Sequence, residues 1–324
     1  MRVRSGVIFR LCRTKCLTLI LAFMFVFATG CAVSQGRAQQ FAQAHDFREV
    51  RFVTGMFTLH GWFRLSANRP KAAMPTSEGL ARETAKPESA GIEAVTTELA
   101  QDGIIDTGPP RTLRIYIEGD GYAWRSLTRP SDDPTPRDPV SLRLAAADLG
   151  PDPVLYLARP CQYVRGEDRQ NCEKRYWTTA RLGDEVLQSL DEAVSQAKSR
   201  YKAERIVLVG FSGGGGAAVL LAARRHDVVF LGTVAGNLDT EAWAQLHNLS
   251  PLADSVNPIS VATVLQGLPQ RHLSSRGDAV VPPQISARFC RSVQQPDACV
   301  SLDGISHNGS WENYWDYELA KIKN

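Results

Sequence analysis

The sequence contains a serine whose surroundings suit a nucleophile. Ser212 lies in a Gly-x-Ser-x-Gly pattern, after the apolar run Arg205–Val209 and before a segment rich in alanine and leucine. A tight turn between a buried strand and a helix would lift this serine out of the backbone. Gly210 and Gly214 would permit the strained turn and the close approach of strand and helix. The helix N-terminus would add unpaired N–H groups and a positive dipole end for a developing oxyanion. The alternative is a glycine-rich turn without chemistry.

This segment resembles the nucleophile elbow of the α/β-hydrolases, in which an acid and then a histidine follow the serine along the chain. The stretch Arg276–Pro282 is similar to the acid turn of that family, which implies that Asp278 fixes the imidazole tautomer. His307 lies in a short polar loop after the last predicted strand, so the resemblance implies that it is the general base. Asp303 is the alternative acid, although it precedes the histidine closely.

A second loop, Glu118-Gly-Asp-Gly121, ends the first predicted parallel strand. In α/β-hydrolases the loop at this place supplies one backbone N–H of the oxyanion hole, and the residue after the nucleophile supplies another. The resemblance therefore implies donors at Gly121 or Tyr122, together with Gly213. The alternative is a plain turn. Within the superfamily, the chain resembles poorly characterised bacterial lipoprotein hydrolases with an Ile-Glu-Gly-Asp-Gly loop.

The two acidic side chains of this loop would oppose an oxyanion if they faced it. We therefore expect Glu118 and Asp120 to point away and to hydrogen-bond the loop, paired with Arg129 or Arg137. A calcium site built with the acidic pair at 132–133 is a weaker alternative, because the spacing is not that of an EF-hand loop. We predict no metal and no organic cofactor.

Strands alternate with helices along most of the chain, which predicts a parallel sheet covered on both faces. The fold class is α/β: the resemblance implies an α/β-hydrolase fold with a mostly parallel sheet, helices on both faces and an N-terminal antiparallel hairpin. The site should lie at the carboxyl ends of the strands. The hairpin is predicted at Phe47–Leu65 around Gly55, the strands at Leu113–Ile117, Val154–Ala158, Arg205–Val209, Val228–Val234, Arg271–Ser274 and Cys299–Leu302, and the helices at Pro139–Leu149, Asp184–Tyr201, Gly213–Arg225, Thr240–Leu268, Pro283–Val293 and from Ser310.

The first thirty residues have the composition of a signal peptide. A basic start precedes the apolar run Leu17–Ala28, which is too short to span a hydrocarbon core of about 30 Å. The sequence Ala28-Thr-Gly-Cys31 resembles a bacterial lipobox, which implies cleavage before Cys31 and its acylation. Ordinary secretory cleavage nearby is the alternative. The residue after the cysteine is Ala32, as in lipoproteins that are sent to the outer membrane, and this resemblance implies a protein anchored there that faces the periplasm.

These features predict a signal peptide at 1–30, a lipidated tether at 31–46 and a hydrolase domain at 47–324. A stretch at 67–111, rich in Pro, Ala, Ser, Thr, Glu and Lys, is predicted to be a disordered insertion. The net charge of the full chain is +3. The leader carries five of the 37 basic residues and none of the 34 acidic ones, so the mature chain has a net charge of −2. Nucleic-acid binding is therefore not expected.

Four cysteines follow the anchor, an even number in an oxidising compartment. The pairs Cys161–Cys172 and Cys290–Cys299 would close short loops, and they form one of three possible connectivities. Four free thiols are the alternative; a zinc site fits poorly, because neither pair has the spacing of zinc ligands.

Together these features predict a serine hydrolase that cleaves an ester or related acyl bond of a small molecule through an acyl-enzyme. Thioester, amide and peptide substrates stay open. The alternative from another class is an envelope lipoprotein that uses the same fold as a non-catalytic binding scaffold.

Overall fold

The alternating strands and helices pair into one mixed sheet in a computed structural model that describes residues 36–65, 111–126 and 128–322. The strands are β1 Arg48–Val53, β2 Thr58–Arg64, β3 Thr112–Ile117, β4 Trp124–Ser126, β5 Arg129–Pro130, β6 Val154–Leu157, β7 Arg205–Phe211, β8 Val228–Val234, β9 Gln270–Ser275 and β10 Cys299–Leu302. The strand order of the sheet is β1-β2-β6-β3-β7-β8-β9-β10, and β1 and β2 pair antiparallel with their neighbours while the other strands run parallel. A separate small hairpin, which the sequence did not predict, contains β4 and β5.

Helices cover both faces of this sheet because the central strands are apolar on both sides. Along β7, Ile206 and Leu208 belong to one buried cluster, whereas Val207 and Val209 belong to the other. The helices are α1 at 36–44, α2 Val140–Ala147, α3 Asp184–Arg200, α4 Gly213–Arg224, α5 Thr240–Leu246, α6 Pro283–Ser292 and α7 Glu312–Ile322. The first cluster contains side chains of α3, α4 and α6, and the second contains those of α1, α2 and α7. The fold class predicted from the sequence is confirmed, including the N-terminal hairpin.

Two predictions about local structure are wrong. The tether was expected to extend to residue 46, but 36–44 is a helix whose Ala38 and Ala42 are buried in the second cluster. The segment Thr240–Leu268 is not one helix: α5 ends at Leu246, and a 3₁₀ stretch follows at Pro258–Leu265. Helix α5 ends because Asn248 adopts a left-handed backbone (φ +53°), and the N–H groups of Asn248 and Leu249 donate to Gln245 and Ala244 as in a Schellman motif.

The predicted signal peptide, Cys31 and the insertion at 67–111, apart from Arg111, lie outside the described residues. No helix of the described ranges has both the length and the apolar composition to cross a membrane. The carboxyl ends of β3, β7, β9 and β10 lie at the same edge of the sheet, because these strands are parallel. Each of the candidate side chains follows one of these ends.

Candidate active site

Ser212 lies at the turn between β7 and α4 with φ +52° and ψ −121°. A positive φ is strained for a residue with a side chain. Three backbone hydrogen bonds hold the turn: the Ser212 N–H donates to Val234 (3.0 Å), and its carbonyl accepts from Gly215 and Asn237 (3.0 Å each). The strain is therefore supported by bonds to both α4 and the loop after β8.

The predicted roles of Gly210 and Gly214 have a steric basis. A Cβ on Gly210 would overlap the carbonyl of Gly214 and lie 2.6 Å from the nitrogen of Gly215. A Cβ on Gly214 would overlap the backbone carbonyls of Ile117 and Glu118 at the end of β3. Glycine at both positions allows β7, α4 and β3 to approach closely.

The structure brings Ser212, His307 and Asp278 into one hydrogen-bonded line. The Oγ of Ser212 is 3.0 Å from Nε2 of His307, and Nδ1 of His307 is 2.8 Å from Oδ2 of Asp278. The Asp278 side chain is fully buried, and its other oxygen accepts from the N–H groups of Val280 (2.8 Å) and Val281 (2.9 Å). In this order a neutral histidine donates from Nδ1 and can accept the serine proton at Nε2.

The loops that carry the acid and the histidine are tied together by Ser275, which the sequence reasoning missed. Its buried hydroxyl accepts from the N–H of Gly277 (3.0 Å) and from the N–H of Ile305 (3.0 Å). The carbonyl of His307 accepts from the indole of Trp311 at 2.8 Å. These bonds fix the separation of the carboxylate and the imidazole.

The other buried histidines, His272 and His60, lie within strands and contact other side chains. His272 in β9 contacts Thr233, and burial lowers its pKa to about 3, so it stays neutral. His60 in β2 contacts Glu49, and burial lowers its pKa as well. Neither lies at the carboxyl edge loops, whereas His307 does.

Tyr122 is wrong as an oxyanion donor, because its N–H already donates to the carbonyl of Pro134 at 3.0 Å. Gly121 has φ +64°, and this backbone conformation directs the chain toward Pro134. Among the described residues, no partner accepts the N–H of Asp120 or Gly121. The N–H of Gly213 is the first of α4, where helix geometry provides no acceptor.

Because the Tyr122 N–H is used, the candidate donor moves one or two residues back, to the N–H of Gly121 or Asp120. A Cβ on Gly213 would overlap the carboxylate of Asp120 and lie 2.8 Å from Nη1 of Arg159. The expectation that this carboxylate points away is therefore wrong. Its partners also differ from those expected: it pairs with Arg159 (2.6 Å) and Arg181, and Arg137 stacks on the Tyr122 ring at 3.7 Å.

The two acidic residues of this loop have opposite electrostatic environments. Burial alone would raise the pKa of Asp120, but Arg181 and Arg159 outweigh it and lower that pKa below its ordinary value. Burial raises the pKa of Glu118 to about 7, although one of its oxygens accepts from the Gly119 N–H at 2.8 Å. Asp120 is therefore ionised near neutral pH, whereas Glu118 titrates there.

The calcium alternative does not fit this arrangement. Asp132 pairs with Lys174 (2.8 Å) and Arg125 (2.6 Å), while Asp120 is held by its own two arginines. In the part of the chain that the structure describes, no three histidine, cysteine or acidic side chains are grouped to hold a metal ion.

Both predicted disulfides are present in the structure, with Cα–Cα distances of 5.5 Å for Cys161–Cys172 and 6.2 Å for Cys290–Cys299. The first closes the loop after β6 that carries Gln162. The Gln162 amide donates to the carbonyl of Gly119 at 2.9 Å, and its oxygen accepts from the Arg159 N–H at 3.0 Å. This disulfide therefore supports the loop beside the candidate oxyanion hole.

No protein-family model and no curated protein sequence matches this chain. Solved structures do match. Est1E from Butyrivibrio proteoclasticus is 14% identical with a TM-score of 0.52, over 85% of this chain and 99% of that one. A putative α/β hydrolase of unknown function from Agrobacterium tumefaciens is 12% identical with a TM-score of 0.50, over 86% and 97%.

An acylaminoacyl peptidase from Pyrococcus horikoshii is 11% identical with a TM-score of 0.53, over 86% of this chain but only 41% of that one. At these identities the likeness concerns the backbone. The mostly parallel sheet, the strand-to-helix serine turn and these matches together show that the chain has the α/β-hydrolase fold.

Proposed function

We propose that this protein is a serine hydrolase that cleaves an ester or related acyl bond with Ser212, His307 and Asp278. The observation that carries the proposal is the continuous line from the Ser212 hydroxyl (3.0 Å) through the imidazole to the buried Asp278 carboxylate (2.8 Å). The strained turn that holds the serine at a helix N-terminus supports it as well. The similar folds include an acylaminoacyl peptidase and a putative hydrolase, which agrees with acyl transfer.

In the proposed reaction, Nε2 of His307 takes the proton of Ser212 as Oγ bonds to the substrate carbonyl carbon. The carbonyl oxygen becomes an oxyanion that accepts from the N–H of Gly213 and from an N–H at Asp120 or Gly121. The imidazolium, stabilised by Asp278, gives its proton to the departing alcohol, which leaves an acyl-serine. Water then loses a proton to His307, attacks the acyl carbon and releases the acid, and Ser212 regains its proton.

A carboxylesterase-like activity on a small substrate is the form that we propose. Between β8 and β9 the chain has the seven-residue α5 and one 3₁₀ stretch. This segment is small for a cap over the site and lacks the long apolar face that a lipase uses for triglycerides. Thioesters, amides and peptides are the other acyl classes to compare.

Hydrolysis of short-chain p-nitrophenyl esters tests the proposal. We expect turnover by the wild type and a loss of at least about 10³-fold in kcat/KM for Ser212→Ala, because the nucleophile is removed. Ser189→Ala is the matched control, since this buried serine lies in α3 away from the site. Equal turnover by Ser212→Ala would contradict the proposal, and inactivity of all three proteins would favour the non-catalytic scaffold.

We further propose that the protein is exported and anchored through Cys31, with its domain in the periplasm at the outer membrane. The leader composition, the Ala-Thr-Gly-Cys31 sequence and the two disulfides support this location. Cys31→Ser should block incorporation of labelled fatty acid and should move the protein out of the membrane fraction or leave it uncleaved. Wild-type protein without lipid in the soluble periplasm would contradict the anchor and leave only secretion.

A further inference from the structure

Two buried arginines lie beside the serine turn, and one carboxylate pairs with both. Nη1 of Arg159 is 2.6 Å from Asp120, and Nη1 of Arg181 contacts the other oxygen of the same carboxylate. The guanidinium side chains are only 4% and 7% exposed. Glu118 at the end of β3 also acts electrostatically on Arg159, and burial raises the pKa of its carboxyl to about 7. The cluster of Asp120, Arg159 and Arg181 therefore holds a surplus positive charge, which is costly to bury without a partner.

This arginine cluster, as we call Asp120, Arg159 and Arg181, lies beside the serine turn. Arg159 and Asp120 pack against the Cα of Gly213, next to Ser212. Arg181 lies 5.6 Å from the ring of Trp243. Because the Trp243 indole donates to the carbonyl of Val280 (2.7 Å), two residues after Asp278, the guanidinium lies between the oxyanion loop and the acid loop.

Arg181 also retains hydrogen-bonding capacity. Its Nε donates to Thr178 at 2.9 Å and its Nη1 to Asp120, while Nη2 donates to no atom of the described residues. A guanidinium with free N–H groups matches a carboxylate in both charge and geometry. The leaving group of an acyl transfer must lie beside Nε2 of His307, which protonates it. An anion beside Gly213 therefore belongs to the acyl part of the substrate.

We propose that the arginine cluster recognises a carboxylate on the acyl group, so that the preferred substrates are monoesters of short dicarboxylic acids. This inference rests on the proposed hydrolase function. The competing explanation is that the surplus charge only stabilises the oxyanion, which would accelerate neutral and anionic esters alike. Substrate pairs that differ only in the remote carboxylate distinguish the two.

The experiment compares monoethyl succinate with diethyl succinate by the release of ethanol, at several salt concentrations. We expect the wild type to favour the monoester in kcat/KM by about 10- to 100-fold, as a charge-assisted hydrogen bond would give. Arg181→Gln should lower the ratio of the two kcat/KM values at least about tenfold, and Arg181→Lys should retain part of it. Arg224→Gln, at the far end of α4 and paired with Asp184, should leave the ratio unchanged.

Labelling with a fluorophosphonate runs in parallel and reports whether Ser212 is an activated nucleophile. A labelled wild type with equal kcat/KM on the two succinates would overturn the carboxylate assignment while leaving the hydrolase. An equal loss on both substrates in Arg181→Gln would assign the charge to the oxyanion and also overturn it. An unlabelled wild type would contradict the hydrolase itself, and with it this inference. The wild-type comparison stands even if Arg181→Gln fails to fold.

Discussion

The Asp278→Asn substitution examines how the buried acid controls the histidine. In the wild type, Oδ2 accepts from Nδ1 of His307, while Oδ1 accepts from the N–H groups of Val280 and Val281. An asparagine amide must place its oxygen toward these two N–H groups, because the reverse orientation loses two hydrogen bonds, about 2 kcal/mol in total. The amide NH₂ then faces Nδ1 and forces the proton onto Nε2. His307 can no longer accept the proton of Ser212.

The size of the effect follows from this tautomer. A factor of about 30 separates the two amide orientations at 2 kcal/mol, and the minor orientation still lacks the negative charge that stabilises the imidazolium, so the two losses multiply. We expect the rate of fluorophosphonate labelling to fall by about 10³- to 10⁴-fold, as for the equivalent change in serine proteases. Thermal stability should change little, because the amide is nearly isosteric with the carboxylate.

Asp303→Asn is the matched control, since Asp303 is the alternative acid of the sequence analysis. Its side chain is 74% exposed and pairs with Arg276. Labelling should proceed at the wild-type rate in this variant. A loss below tenfold in Asp278→Asn, or a larger loss in Asp303→Asn, would refute the assignment of the acid.

Three further predictions concern stability. Burial raises the pKa of Glu118 from 4.5 to about 7, so the folded protein holds a proton that the unfolded chain releases, and stability falls as pH rises from about 4.5 to about 7. Glu118→Gln should remove this fall. The free energy of unfolding of the variant minus that of the wild type should therefore rise by about 3 kcal/mol between pH 4 and pH 8, and an identical pH dependence of both proteins in chemical denaturation would contradict this. Asp148→Ala should lower the free energy of unfolding by about 3–5 kcal/mol, because it leaves the buried Arg114 and Tyr116 without their shared acceptor. Asp152→Ala should lower it by about 1 kcal/mol or less, because Asp152 is 27% exposed, and equal losses in denaturant titrations would refute the difference. Replacing both cysteines of Cys161–Cys172 by serine should cost about 2–3 kcal/mol, and peptide mapping without reduction should recover both linked pairs, whereas four alkylatable thiols would contradict them.

The fold and the serine turn could be predicted because their signals are local. The pattern around Ser212 combines an apolar strand, two glycines and an alanine-rich helix, and each part has a steric reason in the structure. The hairpin was found for a similar reason, since β-branched and aromatic residues flank a turn at Gly55. The periodicity of α3 likewise identified a helix from its buried face.

The predictions were wrong where contacts between residues distant in the sequence determine the structure. The positive φ of Gly121 directs the Tyr122 N–H toward the carbonyl of Pro134, and residue spacing does not predict this hydrogen bond. Arg181 and Asp120 are 61 residues apart in the sequence, so no local pattern indicates that they form an ion pair. Arg159 could have been suspected, because it follows a parallel strand at the edge where the site was expected. Helix α1 was missed because its buried residues are the alanines Ala38 and Ala42, which form too small an apolar face to predict a helix.

The central claim is that Ser212 is the nucleophile of an acyl-transfer site, and the most direct measurement is the site of a covalent adduct. The intact wild-type protein is treated with a fluorophosphonate and its peptides are mapped by mass spectrometry. One adduct per chain on Ser212, absent from Ser212→Ala and abolished by prior denaturation, is the predicted result. An adduct on another residue, or equal labelling of the wild type and Ser212→Ala, would contradict the assignment.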